Sequence, residues 1–210
     1  MADANVKIRG GGSNATQLQS RDIDAAAPSD TNVLAWSASD SEWEPTAAAS
    51  GGGKILQVLS TEKADVFTNA DGSWVDVTGL TVTITPAAAT SKVFVMYSFE
   101  GSFQGGGYGG AFRLVRDSTA VHLGTMVGSN RIPASGGAYA QFNSSNSPEQ
   151  MFTVSSHFLD SPSTTSATVY KIQANSMWTT AIYIGQSQSD ADTDKFVRAP
   201  STISVMEVGA

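Results

Sequence analysis

Leu80-Thr81-Val82-Thr83-Ile84-Thr85-Pro86 alternates an apolar residue with a threonine three times and then meets a proline. A period of two marks a strand with one face buried and the other wet, and β-branched side chains suit that pleated surface. Proline cannot donate to a strand ladder, so the strand ends there. The segment therefore predicts a half-buried β-strand, and its pattern recurs on both sides.

Upstream, Ile55 to Leu59, Ala64 to Asn69 and Trp74 to Val77 have strand character, with Asp71-Gly72 as a turn signal. Downstream come Lys92 to Phe99, Ala111 to Val115, Ala120 to Leu123, Met151 to Leu159, Thr168 to Ala174, Ala181 to Ile184 and Ser201 to Val208. Gly, Ser, Asn and Pro clusters separate them, and no stretch carries a helical period. Many short strands spaced by turn signals predict an all-β fold, a jelly-roll-like β-sandwich over residues 54–210. The stretches Gly101 to Gly110 and Gly128 to Ser147 are expected to be its long loops.

Composition agrees. Of the 210 residues, 40% are hydrophobic, enough for a core, but only 15% are charged. Soluble proteins average about 25% charged, and long surface helices need those residues.

Residues 1–53 differ from the rest. They hold few large apolar side chains and two glycine clusters, Gly10 to Gly12 and Gly51 to Gly53. This predicts an extended N-terminal anchoring arm that ends in a glycine-rich linker, with the domain boundary at residue 53. Within it, Val33 to Trp36 and Trp43 to Pro45 flank a polar turn and predict a small hairpin. A hairpin of that size cannot bury Trp36 and Trp43 alone. Either copies from neighbouring chains share them, or the arm has no fixed structure.

Lys92 to Phe99 is apolar on both faces: Val93, Val95, Tyr97 and Phe99 on one, Phe94 and Met96 on the other. A sandwich strand with one wet face should be polar on that side. Phe94 and Met96 are therefore expected at a subunit interface, with Trp36 and Trp43. Ile182 and Ile184 against Ala181 and Tyr183 repeat the pattern.

Several functions are disfavoured. The net charge of -7 repels phosphate backbones, so no nucleic-acid partner is expected. Without cysteine there are no disulfides, thiolate zinc sites or cysteine nucleophiles. Met1 to Gly10 has no apolar signal segment and no apolar run approaches the ~20 residues of a membrane span, so synthesis in a cytoplasm without membrane insertion is expected. His122 and His157 both fall in predicted strands and have no partner pattern for catalysis. Asp190, Asp192 and Asp194 alternate as calcium ligands can, but Lys195 and Ser201 stand where an EF-hand loop needs Gly and Glu. A solvated acidic loop is the expectation, and no metal or cofactor is assigned.

Gly105 to Gly110 lacks the Lys and Ser/Thr of a phosphate cradle. It predicts a flexible loop that exposes Tyr108. Tyr among Gly, Ser and Asn suits binding surfaces, so Tyr108, Arg131 and Tyr139 are the candidate contacts to a host cell-surface glycan. There is no carboxylate pair and no β-helix repeat of the kind a depolymerase would show, so no enzyme is expected.

Two stretches resemble bacteriophage fibre and knob proteins. Gln17 to Ile23, Ala27-Pro28-Ser29-Asp30, Val33-Leu34-Ala35-Trp36 and Glu42-Trp43-Glu44-Pro45 are similar to a short segment of phage tail and head fibres. Ser20 and Asn32 stand where that segment usually has glycine. From Gly53 onward, Trp74 to Leu80, Ala111 to Arg116, Phe158 to Pro162, Thr168 to Ile172 and Ser201 to Glu207 resemble the C-terminal β-domain common in phages of aquatic bacteria. The resemblance implies a virion structural protein on the particle surface, a homotrimer whose arm binds other virion proteins. It implies either a short trimeric tail fibre that binds the receptor, or a head fibre or capsid decoration (cement) protein. It carries over no catalytic residue.

Overall fold

In the computed structural model, which describes residues 17–18, 21–23, 29, 32–47, 53–104, 108–140, 149–177 and 179–209, every regular element is a β-strand and no helix occurs among the described residues. The chain divides into two compact units, residues 1–51 and 52–210.

The first unit holds β1 (Gln17–Leu18), β2 (Arg21–Asp22), β3 (Asn32–Ser37) and β4 (Glu42–Ala47). β3 and β4 form the expected hairpin, with Trp36 directly opposite Trp43. Its turn is polar: the Ser37 hydroxyl donates to Asp40 Oδ2 at 2.7 Å, and Ser41 takes a left-handed φ of 58°. The indoles meet edge-on, centroids 5.6 Å apart at 66°. β1 pairs with β2, and Ile23 bridges to Trp43.

The second unit holds β5 (Ile55–Lys63), β6 (Phe67–Asn69), β7 (Trp74–Ile84), β8 (Lys92–Phe103), β9 (Tyr108–Arg116), β10 (Thr119–Val121), β11 (Gly136–Ala140), β12 (Phe152–Asp160), β13 (Thr168–Ser176), β14 (Ile182–Ile184) and β15 (Ser201–Val208). Its pairings are nested: β9 with β11, β8 with β12, β7 with β13 and β5 with β15, all antiparallel. Folding that nest over itself gives two sheets with β5-β15-β8-β12 in one and β7-β13-β9-β11 in the other. That is a jelly roll. β14 and β6 extend the first sheet and β10 pairs with β9.

The core lies between the sheets and follows from alternation. Leu80, Val82 and Ile84 of β7 point inward as their threonine spacing requires, and Val93, Val95, Tyr97 and Phe99 of β8 meet them. Phe99 and Phe112 pack edge to face at 4.8 Å. Two buried carboxylates are held by hydrogen bonds. Asp160 accepts from the Tyr170 hydroxyl at 2.7 Å, and Arg116 Nη1 bridges its two carboxylate oxygens at 2.9 and 2.8 Å. The Glu207 carboxylate, fully buried, accepts from the Gln57 side chain and the Ala87 amide.

Three expectations need correction. Gly101 to Gly110 is not a long loop: β8 runs to Phe103 and β9 begins at Tyr108, which pairs with Ala140 instead of sitting at a loop tip. Gly110 is there for space, because a Cβ would lie 2.6 Å from Ile182 Cδ1 and 3.1 Å from the Phe103 ring. Likewise β11 lies inside the expected 128–147 loop, its glycines lying beside β9. His122 lies just past β10 with a left-handed φ of 55°, not within a strand.

Candidate functional site

The outer face of the first sheet is built by register. On β8 and β15 the even-numbered residues point away from the core, among them Phe94, Met96 and Met206. Pairing places Val58, Met206, Phe94 and Leu159 in one row across four strands. Phe94 and Met206 are half-buried, while Val58 and Leu159 are 55% and 45% exposed. The next row is Ser60, Ser204, Met96 and His157, with the two serine hydroxyls 2.8 Å apart and the His157 ring 5.7 Å from that of Phe94. Ile55 and Leu56 add exposed apolar surface at the end of β5. Phe94 and Met96 thus share a face, as expected from their strand. Val58, Met206 and Leu159 join them only through the strand order, which no single strand reveals.

Trp36 and Trp43 lie in the other unit. The guanidinium of Arg21 sits 4.4 Å over the Trp36 ring, whose residue remains 37% exposed. Trp43 Nε1 is buried without a hydrogen-bond partner. Val33 and Leu34 beside them are also exposed.

The outer face of the second sheet is polar and aromatic. One row across it is Trp74, Asn175, Ala111 and Gly137, and the adjacent row is Asp76, Gln173 and Arg113. Asp76 accepts from Lys171 at 2.7 Å and Gln173 at 2.6 Å, and Arg113 Nε donates to Gln173 at 2.8 Å while stacking 4.3 Å over Trp74. Burial raises the Asp76 carboxyl, but the bonds from Lys171 and Gln173 outweigh it and hold the group below its ordinary value.

Beside this network the segment between β10 and β11 lies along the sheet and borders an open cleft of about 350 Å³. Ala111 and Gly137 form its floor, Met126, Ile132 and Met177 its apolar walls, and Arg131 reaches it from the loop. Tyr139 stands two residues beyond Gly137 on the same face of β11 and is 59% exposed. Arg131 and Tyr139 are therefore brought to one sheet face. The Tyr108 side chain lies outside the described residues, as do Gln141 to Asn143. No sequence signal marks Met126, Ile132 and Met177, because the cleft depends on β11 pairing with β9.

The acidic run does not converge. Arg198 Nε donates to Asp190 Oδ1 at 2.8 Å, and a second guanidinium bond to Oδ2 completes the pair, which holds the Asp190 carboxyl below its ordinary value. Among the described residues no three His, Asp or Glu side chains gather as a metal site. The two histidines lie apart in role: His122 Nε2 is 3.1 Å from the Ser156 hydroxyl and its ring packs against Phe158, whereas His157 lies on the outer face beside Phe94.

No family model matches the chain, and no curated protein matches it. Among solved structures, a chain in the structure of infectious bursal disease virus Gx strain is similar over 84% of this chain, at 14% identity and a TM-score of 0.34. The match covers 45% of that chain, so this protein spans less than half its length. A likeness of that order carries nothing about function.

Proposed function

We propose that the chain is a non-enzymatic structural protein of a bacteriophage particle surface that works as a homotrimer. In this reading the jelly-roll unit is the exposed knob of a short tail fibre and binds the host receptor. The single observation that carries the assembly part is the apolar row of Val58, Met206, Phe94 and Leu159 on the outside of a sheet whose inside already fills the core. A sandwich sheet needs one apolar face; a second one calls for a covering surface. The paired but exposed Trp36 in the N-terminal unit calls for the same. The virion setting rests on the resemblance of residues 17–45 and 53–207 to phage fibre and knob proteins. In that setting the N-terminal unit binds other virion proteins.

The second reading is a head fibre or capsid decoration protein. It is favoured by residues 1–53, which contain no shaft-like repeat. Light scattering on the purified chain is expected to give about three times 21.8 kDa, and a clean monomer overturns the assembly reading. Gold-labelled antibody on intact virions decides the rest. Label at the tail supports receptor binding, label over the head replaces it with decoration, and label on neither removes the virion reading.

A further inference from the structure

We infer that the cleft over Ala111 and Gly137 is a binding site for a carboxylated sugar. The inference rests on the receptor-binding reading for its biological setting and names the ligand chemistry of that surface. Three observations converge on it. First, the cleft has a size suited to one small ligand, about 350 Å³. The register sets the exposed Gly137 beside the almost fully buried Ala111, so no large side chain stands on its floor. Second, among the described residues Arg131 is the only charged side chain lining the cleft, and it makes no ion pair with another of them. In a chain of net charge -7, a guanidinium with no ion pair among the described residues, beside an apolar floor, selects an anion, and its planar fork matches a carboxylate. Third, the surroundings suit a ring better than an acyl chain. Met126 and Ile132 are themselves 55% and 43% exposed, so the walls stay open to water and would leave much of an alkyl chain wet. A sugar ring has one apolar face to lay on that floor and hydroxyls to keep in solvent. Tyr139, on the same face of β11, offers an aromatic surface for the next sugar of a chain.

The carboxylate source could be a sugar acid or a fatty acid, and the probes separate them. The full-length chain is titrated with sodium glucuronate, glucose and hexanoate, and binding is read by protein NMR shifts. Glucuronate is expected to bind in the millimolar range and glucose at least about tenfold more weakly, the scale of one charge-assisted pair. Arg131→Ala, an exposed position whose replacement should leave the circular dichroism unchanged, is expected to erase that preference. Tyr139→Ala is expected to weaken an oligosaccharide of glucuronate more than the monomer. Equal binding of glucose and glucuronate, an unchanged preference in Arg131→Ala, or no glucuronate shift at about tens of millimolar overturns the inference. Hexanoate binding without glucuronate binding overturns it in favour of an acyl carboxylate. Gold labelling that removes the virion reading leaves the titration result untouched, so the two failures are told apart.

Discussion

Gln57 Nε2 donates to Glu207 Oε2 at 2.6 Å and so ties the first strand of the jelly roll to its last. The same amide nitrogen lies 2.8 Å from the Thr85 carbonyl at the end of β7. Glu207 Oε1 accepts from the Ala87 amide at 2.7 Å, so one buried carboxylate gathers β5, β15 and the turn after β7. No cation is among these partners; hydrogen bonds alone hold the charge.

That arrangement predicts an acid sensitivity. Burial raises the Glu207 carboxyl, but the Gln57 and backbone bonds outweigh it, leaving the folded-state value below the ordinary 4.5. A depressed carboxyl stabilises the fold fully above its unfolded value and loses that contribution as pH falls through the folded one. Denaturant midpoints should therefore drop as pH falls below 4.5. Glu207→Gln should flatten that part of the profile and cost about 1–3 kcal/mol at neutral pH, because one acceptor becomes a donor facing an amide.

At Asp160 one of the two donors is a cation, Arg116, and the other is the Tyr170 hydroxyl. Burial of Tyr170, and the 2.7 Å bond its hydroxyl donates to Asp160, raise the tyrosine's affinity for its proton. Tyr170→Phe should cost only about 1 kcal/mol, since Asp160 keeps Arg116. Asp160→Ala should cost about 3–5 kcal/mol, because it strands a partly buried guanidinium and a buried hydroxyl together. Urea unfolding of the two variants checks the asymmetry.

Gly101 sits where β8 changes partner, beside Phe152 on β12 and Ile184 on β14. A Cβ there would run into the Tyr183 carbonyl oxygen and lie 2.8 Å from the Phe152 ring. The backbone oxygen cannot swing away as a side chain can. Gly101→Ala should destabilise by about 1–3 kcal/mol and loosen β14 first. Hydrogen exchange at Ile182–Ile184 should accelerate ahead of β15, and uniform exchange would count against the local explanation.

The Phe99–Phe112 pair spans the two sheets in edge-to-face geometry, 4.8 Å apart at 64°. Either truncation to alanine should cost about 3–5 kcal/mol through the cavity it leaves. A double-mutant cycle should recover a coupling of about 0.5–1.5 kcal/mol beyond the separate losses.

Legibility divided along one physical line. Strands that bury one side of an alternating pattern could be read directly: Leu80, Val82 and Ile84 fixed the face of β7, and β15 was bounded at Ser201 and Val208 from its sequence. Strands whose residues are small for the sake of close approach could not. Gly109, Gly110, Gly136 and Gly137 have no side chain to alternate, so their order shows only in the β9–β11 pairing and in the close approach of Ile182 and Phe103 to Gly110. The candidate site divides in the same way. Phe94 and Met96 announced an unusual outer face within one strand, but the row they belong to needs the register of β5, β15 and β12. The cleft beside Arg131 needs β11, the strand the glycines concealed.

The nested pairing has a consequence for how the chain is made. Ser60 and Ser204, bonded side by side in the finished sheet, are 144 residues apart in sequence. Ribosomes add roughly 5–20 residues per second, so β5 emerges on the order of ten seconds before its partner exists. During that wait Ile55, Leu56, Val58 and Leu59 form an unpartnered sticky segment at the front of the nascent jelly-roll unit. Nascent chains on one polysome would carry that segment side by side, where pairing between neighbouring chains competes with the wait for β15.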